Sequence, residues 1–335
     1  MFNVRLRRDQ PGDLQGGQIR SQEFTFYPKE ILKEKNTFFA DIKTAGSVTL
    51  LVQTVLIPLI FSAPPSSILA LPPKSKKVII KGGTAVRSAP PINFFLQVFK
   101  PIVTNGFNFD FNISITNHGY YPKGGGEIVL RVDPLVVKAF TPISLIERGT
   151  VIQIKGIVTI AKVPNQIAQQ IISAASKVIV NNSDLPELNN IKPDIEINHA
   201  KISSGEGFDI VLWAITNTGC IISGNAVIDK KLTAEDLGKN AAEELIKNLR
   251  HGGCVDEYLQ DQLIIFMALA EGKSKILTGP ISLHTSTVMH YSEIMVGVKF
   301  KITKVTSNND KAGEEEGSEK NIIECEGIGF KVTEL

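Results

Sequence analysis

His284 is a candidate nucleophile. It stands within the segment 281–287, after a Thr-Gly-Pro turn signal and just before an apolar run with helical spacing that begins near residue 288. A histidine where a strand gives way to a helix can present one ring nitrogen for attack while the other donates to a backbone carbonyl. Most single histidines are only packed or surface groups, and His199, His251 and His290 are expected to be structural because no supporting residues accompany them.

Three polar residues share one face of a helix predicted over 255–270 and closed by Gly272. Tyr258, Asp261 and Gln262 stand at positions i, i+3 and i+4, away from the apolar stripe of the same helix. An aromatic plane, a carboxylate and an amide together suit stacking on a base and hydrogen bonding to a ribose or a base edge. An ordinary exposed polar face would show the same spacing.

Two glycine-rich or proline-rich segments could form the walls of a site. In residues 118–127 (HGYYPKGGGE), three consecutive glycines could turn N–H groups toward an anion, with Lys123 adding charge, or could let another backbone approach closely. The run lacks the Lys-Ser/Thr ending of a P-loop, so a hairpin without a ligand explains it equally well. The segment 81–91 combines KGGT with Ala-Pro-Pro; Pro90 suits a pocket wall, although ending a strand is the favoured explanation from the residues alone.

Positive charge is concentrated near the N-terminus. Arg5, Arg7 and Arg8, with Lys43 further along, form a dense cationic cluster whose guanidinium groups match phosphate geometry; a basic tail is the alternative. The 335 residues carry 36 Lys and Arg against 34 Asp and Glu, so the net charge is only +2. A nucleic-acid ligand would therefore have to meet a local cluster of this kind.

Composition indicates a folded protein of two or three domains without a membrane anchor. The three cysteines are scattered and lack CxxC spacing, which argues against a disulfide framework or zinc cage and favours a reducing compartment. The most apolar stretch, 48–61, is shorter than the ~20 residues that a membrane-spanning helix needs. It is predicted to be a buried helix with Ser47 as its N-cap, and the N-terminal residues do not resemble a secretory signal.

The elements that would position these residues alternate between strands and helices. Period-2 patterns predict strands at Glu23–Tyr27, Val78–Lys81, Asn108–Thr116, Glu127–Val132, Val151–Ile160, Asp194–Asn198 and Asp209–Ile215. Helices are predicted over 165–179 and over 233–250, the second opened by Thr233 and Asp236. The order predicts an α/β or α+β chain with mixed sheets, and 181–193 and 306–321 are predicted surface loops.

Several of these segments together resemble the RNA 3′-terminal phosphate cyclase family over nearly the whole chain. The matching segments are DIKTAGS at 41–47, KGGT with APP at 81–91, VFKPIV at 98–103, HGYYPKGGGE at 118–127, the LRHGG…VDEYLQDQL segment at 249–263 and TGPISLHT at 278–285. Several long matches in the order of the family are far more specific than any one motif.

The resemblance implies a large domain of repeated βαβαββ units with a small inserted α/β domain. The large domain would comprise residues 1–162, with an incomplete N-terminal repeat, and residues 250–335, and the inserted domain would comprise residues 163–249. The block of helices and strands between the glycine-rich segments, with a hairpin turn at 216–219, independently suggests such an insertion.

The implied activity is ATP-dependent conversion of an RNA 3′-terminal phosphate to a 2′,3′-cyclic phosphate. His284 would attack the α-phosphate of ATP, the AMP would pass to the RNA 3′-phosphate, and the neighbouring 2′-hydroxyl would then displace it. One alternative is a catalytically silent RNA-processing or ribosome-biogenesis scaffold of the same family, against which the retained His284 argues. Another is an inactive truncated cyclase.

By the same resemblance, the site residues fall into two groups. Contacts to the adenylate are implied for Tyr258, Asp261 and Gln262, a pocket wall for Pro90, a lining position for Gln53, and a phosphate-binding pair for Arg5 and Arg8. Mg²⁺ or Mn²⁺ would accompany the ATP, with no metal ligand assigned. The implied partner is RNA with a 3′-phosphate end, and the implied location is the nucleus.

The chain also departs from the family pattern. A strand and helix carrying a Glu-Gly-Gly-Gly-Gln motif and a later helix containing Gln-His have no counterpart here, and Asn93 stands where an acidic residue is usual. Loss of a strand and two helices is expected to expose apolar surface and a strand edge.

Overall fold

The structure is a computed structural model that describes residues 12–18, 21–28, 35–63, 74–136, 138–182, 185–229, 231–305 and 319–332. Its strands are β1 (Gly12–Gln15), β2 (Thr25–Pro28), β3 (Thr37–Asp41), β4 (Lys76–Gly82), β5 (Phe111–Asn117), β6 (Gly126–Val132), β7 (Ser144–Leu145), β8 (Val151–Ala161), β9 (Asp194–His199), β10 (Gly207–Thr216), β11 (Ile221–Val227), β12 (Glu271–Thr278), β13 (Phe300–Val305) and β14 (Lys320–Ile328). Its helices are α1 (Val48–Ile60), α2 (Ile92–Phe94), α3 (Lys100–Phe107), α4 (Asn165–Val180), α5 (Ala234–Arg250), α6 (Glu257–Leu269) and α7 (Leu283–Val296), with a π-helical turn at Phe95–Phe99 and a 3₁₀ turn at Pro186–Leu188.

The chain is a mixed α/β protein with several four-stranded mixed sheets, as the element order predicts. One sheet has the strand order β3-β4-β6-β5 and another the order β13-β14-β12-β7. In each sheet, the two strands that come first in the chain pair in parallel (β3 with β4, β7 with β12). The two that come last pair antiparallel (β5 with β6, β13 with β14). In each, helices connect the second strand to the third; a helix also connects the first strand to the second in the β3-β4-β6-β5 sheet, whereas the β7–β12 connection contains the third sheet and its helices. The two sheets therefore share strand order and directions.

A third four-stranded sheet, β11-β10-β8-β9, lies between β7 and α6 in the chain and packs on α4 and α5. Strand β10 is buried on both of its faces. Ile210, Leu212 and Ala214 enter the core formed with α4 and α5, whereas Val211 and Trp213 enter the core formed with α1, α3 and α6. Because side chains alternate along a strand, one strand contributes to both cores.

The helix starts predicted from the sequence are present. The Ser47 hydroxyl accepts a hydrogen bond from Leu50 N at 3.4 Å at the start of α1. At the start of α5, the Thr233 hydroxyl accepts from Asp236 N at 3.1 Å, and the Asp236 carboxylate accepts from Thr233 N at 3.0 Å. This reciprocal arrangement satisfies two N–H groups that a helix start leaves without partners.

The predicted end of α6 was wrong. The helix ends at Leu269, Ala270 is already extended, and Gly272 lies within β12 rather than closing the helix. The backbone of Glu271 donates to the Phe140 carbonyl at 2.9 Å. The chain therefore passes directly from helix to strand, and the strand contacts determine where the helix ends.

The predicted start of α7 and two predicted loops also need correction. α7 begins at Leu283, five residues before the apolar run, because Ser282 caps it. The loop predicted over 306–321 extends too far, since Lys320 and Asn321 pair in the β14 ladder; its other members up to residue 318 lie outside the described residues. In the loop predicted over 181–193, Leu188 is buried.

Within the described residues, no helix is long and apolar enough to cross a membrane. β3 is an edge strand of its sheet, and its Phe39 side chain is exposed.

A buried acid connects the glycine-rich hairpin to β10. The Tyr120 hydroxyl donates to Asp209 Oδ1 at 2.7 Å, and both residues are buried. Burial raises the pKa of Asp209 to about 7, partly opposed by the hydrogen bond from Tyr120. The ring of Tyr120 occupies the space beside Gly207, where a Cβ would lie 2.1 Å from the ring. Tyr120 is thus held against the third sheet.

Asp209→Asn is expected to change how stability depends on pH. A pKa raised above the value of 3.8 for an ordinary carboxyl means that the folded state binds the proton more tightly, so ionisation between about pH 4 and pH 7 destabilises the wild type. The asparagine retains an acceptor for Tyr120 but does not ionise. In urea unfolding, the free energy of unfolding of the variant relative to wild type should therefore increase by about 2 kcal/mol between pH 5 and pH 8. Parallel pH profiles for the two proteins would contradict this.

Candidate active site

His284 lies in the first turn of α7, on the far side of a turn from the end of β12. The Ser282 hydroxyl caps the helix by accepting from Thr285 N at 3.0 Å. His284 itself is exposed. Its position between a strand end and a capped helix start is the one predicted from the sequence.

The start of α6 is anchored to β11 by Asp256. Its Oδ1 accepts from Tyr258 N at 3.1 Å and Leu259 N at 2.8 Å, and its Oδ2 accepts from Ser223 N at 2.9 Å and Ser223 Oγ at 2.7 Å. Asp256 is 1% exposed. Asp256 is not among the predicted site residues, although an aspartate directly before the first helical residue is a typical N-cap signal.

Asp261 and His284 are brought close enough for their charges to interact. Burial raises the pKa of Asp261 to about 6, and the charge of His284 opposes that rise. The carboxylate projects from α6 and the imidazole from the start of α7, two helices in extensive contact. Two of the predicted site residues therefore lie on helices that pack against each other, although 23 positions separate them in the chain.

Tyr258 is held between an aromatic ring and a partly buried acid. Its ring packs edge-on against Phe94, with centroids 6.1 Å apart. Its hydroxyl interacts with Glu244 of α5, and burial together with that carboxylate raises the pKa of Tyr258. Glu244 also accepts from Asn225 N at 2.7 Å, and burial raises its pKa to about 7.

Gln262 has a buried side-chain oxygen, Oε1, without a hydrogen-bond partner among the described residues. A buried acceptor without a partner is costly unless a ligand supplies the missing donor. The amino group of adenine or a ribose hydroxyl would be such a donor. On this test the α6 residues fit an adenine nucleotide.

Pro90 and Gln53 lie on adjoining elements. The Pro90 carbonyl accepts from the Thr49 hydroxyl at 2.9 Å, and Gln53 lies one turn beyond Thr49 on α1. Pro90 is buried and lies two residues before the helix that carries Phe94, the ring neighbour of Tyr258. The contacts therefore connect α1 to the Ala-Pro-Pro segment, and that segment to α6. Among the described residues, no hydrogen bond or ion pair joins Gln53 to His284.

In the 118–127 segment, Gly119, Gly124 and Gly126 pack against backbone atoms, whereas Gly125 packs against the Ser204 side chain. A Cβ at Gly119 would lie 2.2 Å from Gly126 N and 2.6 Å from Gly82 O. Gly124 and Gly125 adopt left-handed φ values, and Tyr120 pairs with Gly124 across the turn. The structure therefore favours the hairpin explanation for these glycines, with Lys123 exposed at the turn.

Asn93, at the position where the resemblance would place an acidic residue, is buried and donates from Nδ2 to Thr159 Oγ1 at 2.9 Å. Arg5 and Arg8, the predicted phosphate pair, lie outside the described residues. Across the part of the chain that the structure describes, no three His, Cys, Asp or Glu side chains cluster in a way that could hold a metal ion, and Cys220, Cys254 and Cys325 are free thiols.

Comparison with known proteins identifies the family. The family model described as RNA 3′-terminal phosphate cyclase matches residues 6–302. The chain belongs to the RNA 3′-terminal phosphate cyclase family. Among curated cyclases, it is 37% identical to the probable RNA 3′-terminal phosphate cyclase of Dictyostelium discoideum, over 99% of this chain and 77% of that protein. It is 31% identical to the enzyme of Pyrobaculum aerophilum, over 98% of this chain and 90% of that protein, and 30% identical to that of Drosophila melanogaster, over 98% and 84%.

Membership in the cyclase family confirms the resemblance drawn from the six motif segments. The chain is homologous to RNA 3′-phosphate cyclases, an ATP-dependent enzyme family that acts on RNA 3′-phosphate ends. Asp261 and Tyr258 come from the matching segment 249–263, where they lie on a helix, and His284 comes from the matching segment 278–285, where it follows a helix cap. The fold places those two segments side by side.

Proposed function

We propose that this chain converts an RNA 3′-terminal phosphate to a 2′,3′-cyclic phosphate at the expense of ATP. The single observation that supports this best is the exposed imidazole of His284 at the start of α7, a helix that packs on α6, which carries the Asp261 carboxylate. A histidine in this setting has both solvent access for a large substrate and a nearby anion to interact with its ring.

The proposed reaction proceeds in three displacements at phosphorus. A ring nitrogen of neutral His284 attacks the α-phosphate of ATP; the nitrogen–phosphorus bond forms and the bond to pyrophosphate breaks. An oxygen of the RNA 3′-phosphate then attacks the same phosphorus, which returns the imidazole and leaves AMP joined to the RNA end. Finally the RNA 2′-hydroxyl loses its proton and attacks the terminal phosphorus, closing the cyclic phosphate and releasing AMP. Each step is one in-line exchange of a bond.

The residues around His284 suit the nucleotide. The N-terminal end of a helix favours negative charge, and His284 lies in the first turn of α7, where a phosphate would benefit. Tyr258 offers an aromatic plane, Gln262 Oε1 a buried acceptor, and Asp261 a carboxylate. In this proposal, Pro90 forms a wall and Gln53 lines the pocket, in keeping with the hydrogen bond to the Pro90 carbonyl from Thr49, one turn before Gln53 on α1.

A divalent ion and the arginine pair complete the proposal. Mg²⁺ or Mn²⁺ would neutralise the charge of the triphosphate. Arg5 and Arg8 would bind a substrate phosphate through their guanidinium groups. The proposed location of the protein is the nucleus.

We also propose that the fold is the family's large domain of repeated βαβαββ units with a small inserted α/β domain. The matching strand orders of two sheets support the repeat, and the separate core around α4 and α5 supports the insertion. The proposed division is 1–162, 163–249 and 250–335. Strand β8, which pairs with β9 and β10, starts at Val151 and so precedes the proposed boundary.

The test is a cyclisation assay. An oligoribonucleotide with a fluorescent 5′ label and a 3′-phosphate is incubated with the full chain, ATP and Mg²⁺ or Mn²⁺, then treated with alkaline phosphatase. We expect a product, formed only with ATP, whose terminal phosphate the phosphatase does not remove. An oligonucleotide ending in a 3′-hydroxyl is the control and should not change. A folded chain that binds the RNA but leaves its end open to phosphatase would instead indicate a silent scaffold or an inactive cyclase.

A further inference from the structure

The side chain of Gln260 uses all of its hydrogen-bonding capacity on the segment that carries His284. Its Nε2 donates to the Thr278 hydroxyl and to the Pro280 carbonyl at 3.2 Å. Its Oε1 accepts from Ser282 N at 3.1 Å and from the Thr285 hydroxyl at 2.5 Å. The orientation of the amide is dictated by its partners, because a carbonyl can only accept and a backbone N–H can only donate.

Gln260 lies on α6 among the predicted nucleotide contacts but faces the other way. It is 2% exposed, whereas its neighbours Tyr258 and Asp261 are only partly buried. A buried amide costs free energy unless its donors and acceptors are satisfied, and an apolar side chain of similar size would fill this space more simply. Packing alone therefore does not explain a glutamine here.

The four partners of Gln260 surround the nucleophile in the chain. Ser282 is the N-cap of α7, and Thr285 belongs to its first turn, with His284 between them. Ser282 Oγ and Thr285 Oγ1 lie 3.0 Å apart, so the same amide also supports the cap. From the opposite side, Asn321 of β14 donates to the Gly279 carbonyl at 3.2 Å. The segment 278–285 is thus held to α6 by Gln260 and to the sheet by Asn321.

We propose that Gln260 is a positioning residue, which fixes the start of α7 against α6 so that His284 meets the phosphate of a nucleotide bound by Tyr258, Asp261 and Gln262. The inference rests on the proposed function. Gln260 does not touch the reacting atoms; it acts through the backbone and hydroxyl groups on either side of His284. A displacement of about 1 Å at a reacting group can reduce a rate on the order of 10²-fold.

Two variants of Gln260 separate positioning from packing. Gln260→Met keeps the length of the side chain and removes all four hydrogen bonds. Gln260→Glu keeps the acceptors for Ser282 N and Thr285 Oγ1 but loses both donors. In single-turnover labelling of the protein with AMP from α-labelled ATP, we expect the rate to fall on the order of 10²-fold for the methionine and less for the glutamate. The half-saturating ATP concentration should change by less than about threefold, because the nucleotide contacts remain.

Asn248→Leu is the matched control. Asn248 is also a buried amide, and its Nδ2 donates to the Ser223 carbonyl at 2.9 Å. Its replacement should lower thermal stability about as much as Gln260→Met while leaving the labelling rate within about threefold of wild type. Equal loss of labelling in both variants would overturn the proposal, since general destabilisation would then explain the effect. So would an unchanged labelling rate in a folded Gln260→Met protein.

Thr285→Val adds a test of the specific contact. If Gln260 acts through Thr285, the double variant with Gln260→Met should label no more slowly than Gln260→Met alone, because the shared contact is already lost. If the labelling rate of the double variant instead falls by the product of the two single-variant factors, Gln260 does not act through Thr285.

Amide hydrogen exchange distinguishes failure of this inference from failure of the proposed function. Gln260→Met should speed exchange at the Ser282 amide and across 279–287, but not across α1. If wild type takes up no AMP, the proposed function fails while faster exchange still shows that Gln260 anchors this segment. Unchanged exchange would overturn the anchoring itself.

Discussion

His284→Ala is expected to abolish cyclisation, with a loss of about 10³-fold or more. Alanine removes the imidazole that forms the covalent bond with the nucleotide phosphorus in the proposed reaction, and water cannot reproduce an intermediate that keeps the phosphate activated. The side chain is exposed at the start of α7, so its removal should leave the fold intact. The measurement is the phosphatase-resistance assay with a 3′-phosphorylated oligoribonucleotide.

His290→Ala is the matched control for this result. His290 is an exposed histidine two turns further along the same helix, where its ring lies beside Tyr291 with centroids 5.4 Å apart. Its replacement makes the same chemical change on α7 and should leave cyclisation within about twofold of wild type. Substantial activity in His284→Ala, or equal losses in the two variants, would contradict the role assigned to His284.

Gly119→Ala is expected to destabilise the fold by about 3 kcal/mol or more. The added Cβ would lie 2.2 Å from Gly126 N, 2.6 Å from Gly82 O and 2.7 Å from Gly126 Cα. All three are backbone atoms of β4 and β6, which are paired with each other and cannot turn aside as a flexible side chain would. The strands would have to separate, and the hairpin that presents Tyr120 to Asp209 would move with them.

The free energy of unfolding in urea measures this effect, with Gly205→Ala as the control. Gly205 lies beside the same hairpin, and a Cβ there would meet only the Lys123 side chain at 3.8 Å. That variant should remain within about 0.5 kcal/mol of wild type. A Gly119→Ala protein as stable as Gly205→Ala would mean that close packing is not the reason for a glycine at this position.

Much of the fold follows from local pattern. The alternation of Val, Ile and Phe predicts β4, β6, β8 and β10, and the Thr233 and Asp236 pair predicts the start of α5. These features depend on residues close together in the chain. The C-terminal end of α6 was misplaced because a strand contact, rather than apolar spacing, sets it. The start of α7 was misplaced because the Ser282 cap sets it.

The candidate site, too, follows partly from local residue patterns and partly from contacts between segments distant in the chain. His284 and the polar face of α6 stand out as residue types, but their proximity depends on the packing of α6 on α7. Gln260 was missed because its four partners lie 18 to 25 positions away in the chain. Glu244 was missed for a related reason: its interaction with Tyr258 joins α5 to α6, and nothing in either segment alone indicates it.

The most direct test of the central claim is to find where AMP attaches. The full chain is incubated with α-labelled ATP and Mg²⁺ or Mn²⁺ without RNA, and the labelled protein is digested and its peptides are sequenced by mass spectrometry. The proposed function predicts up to one acid-labile AMP per chain, on His284, and loss of the label when 3′-phosphorylated RNA is added. AMP on another residue, or none on a folded chain, would contradict it.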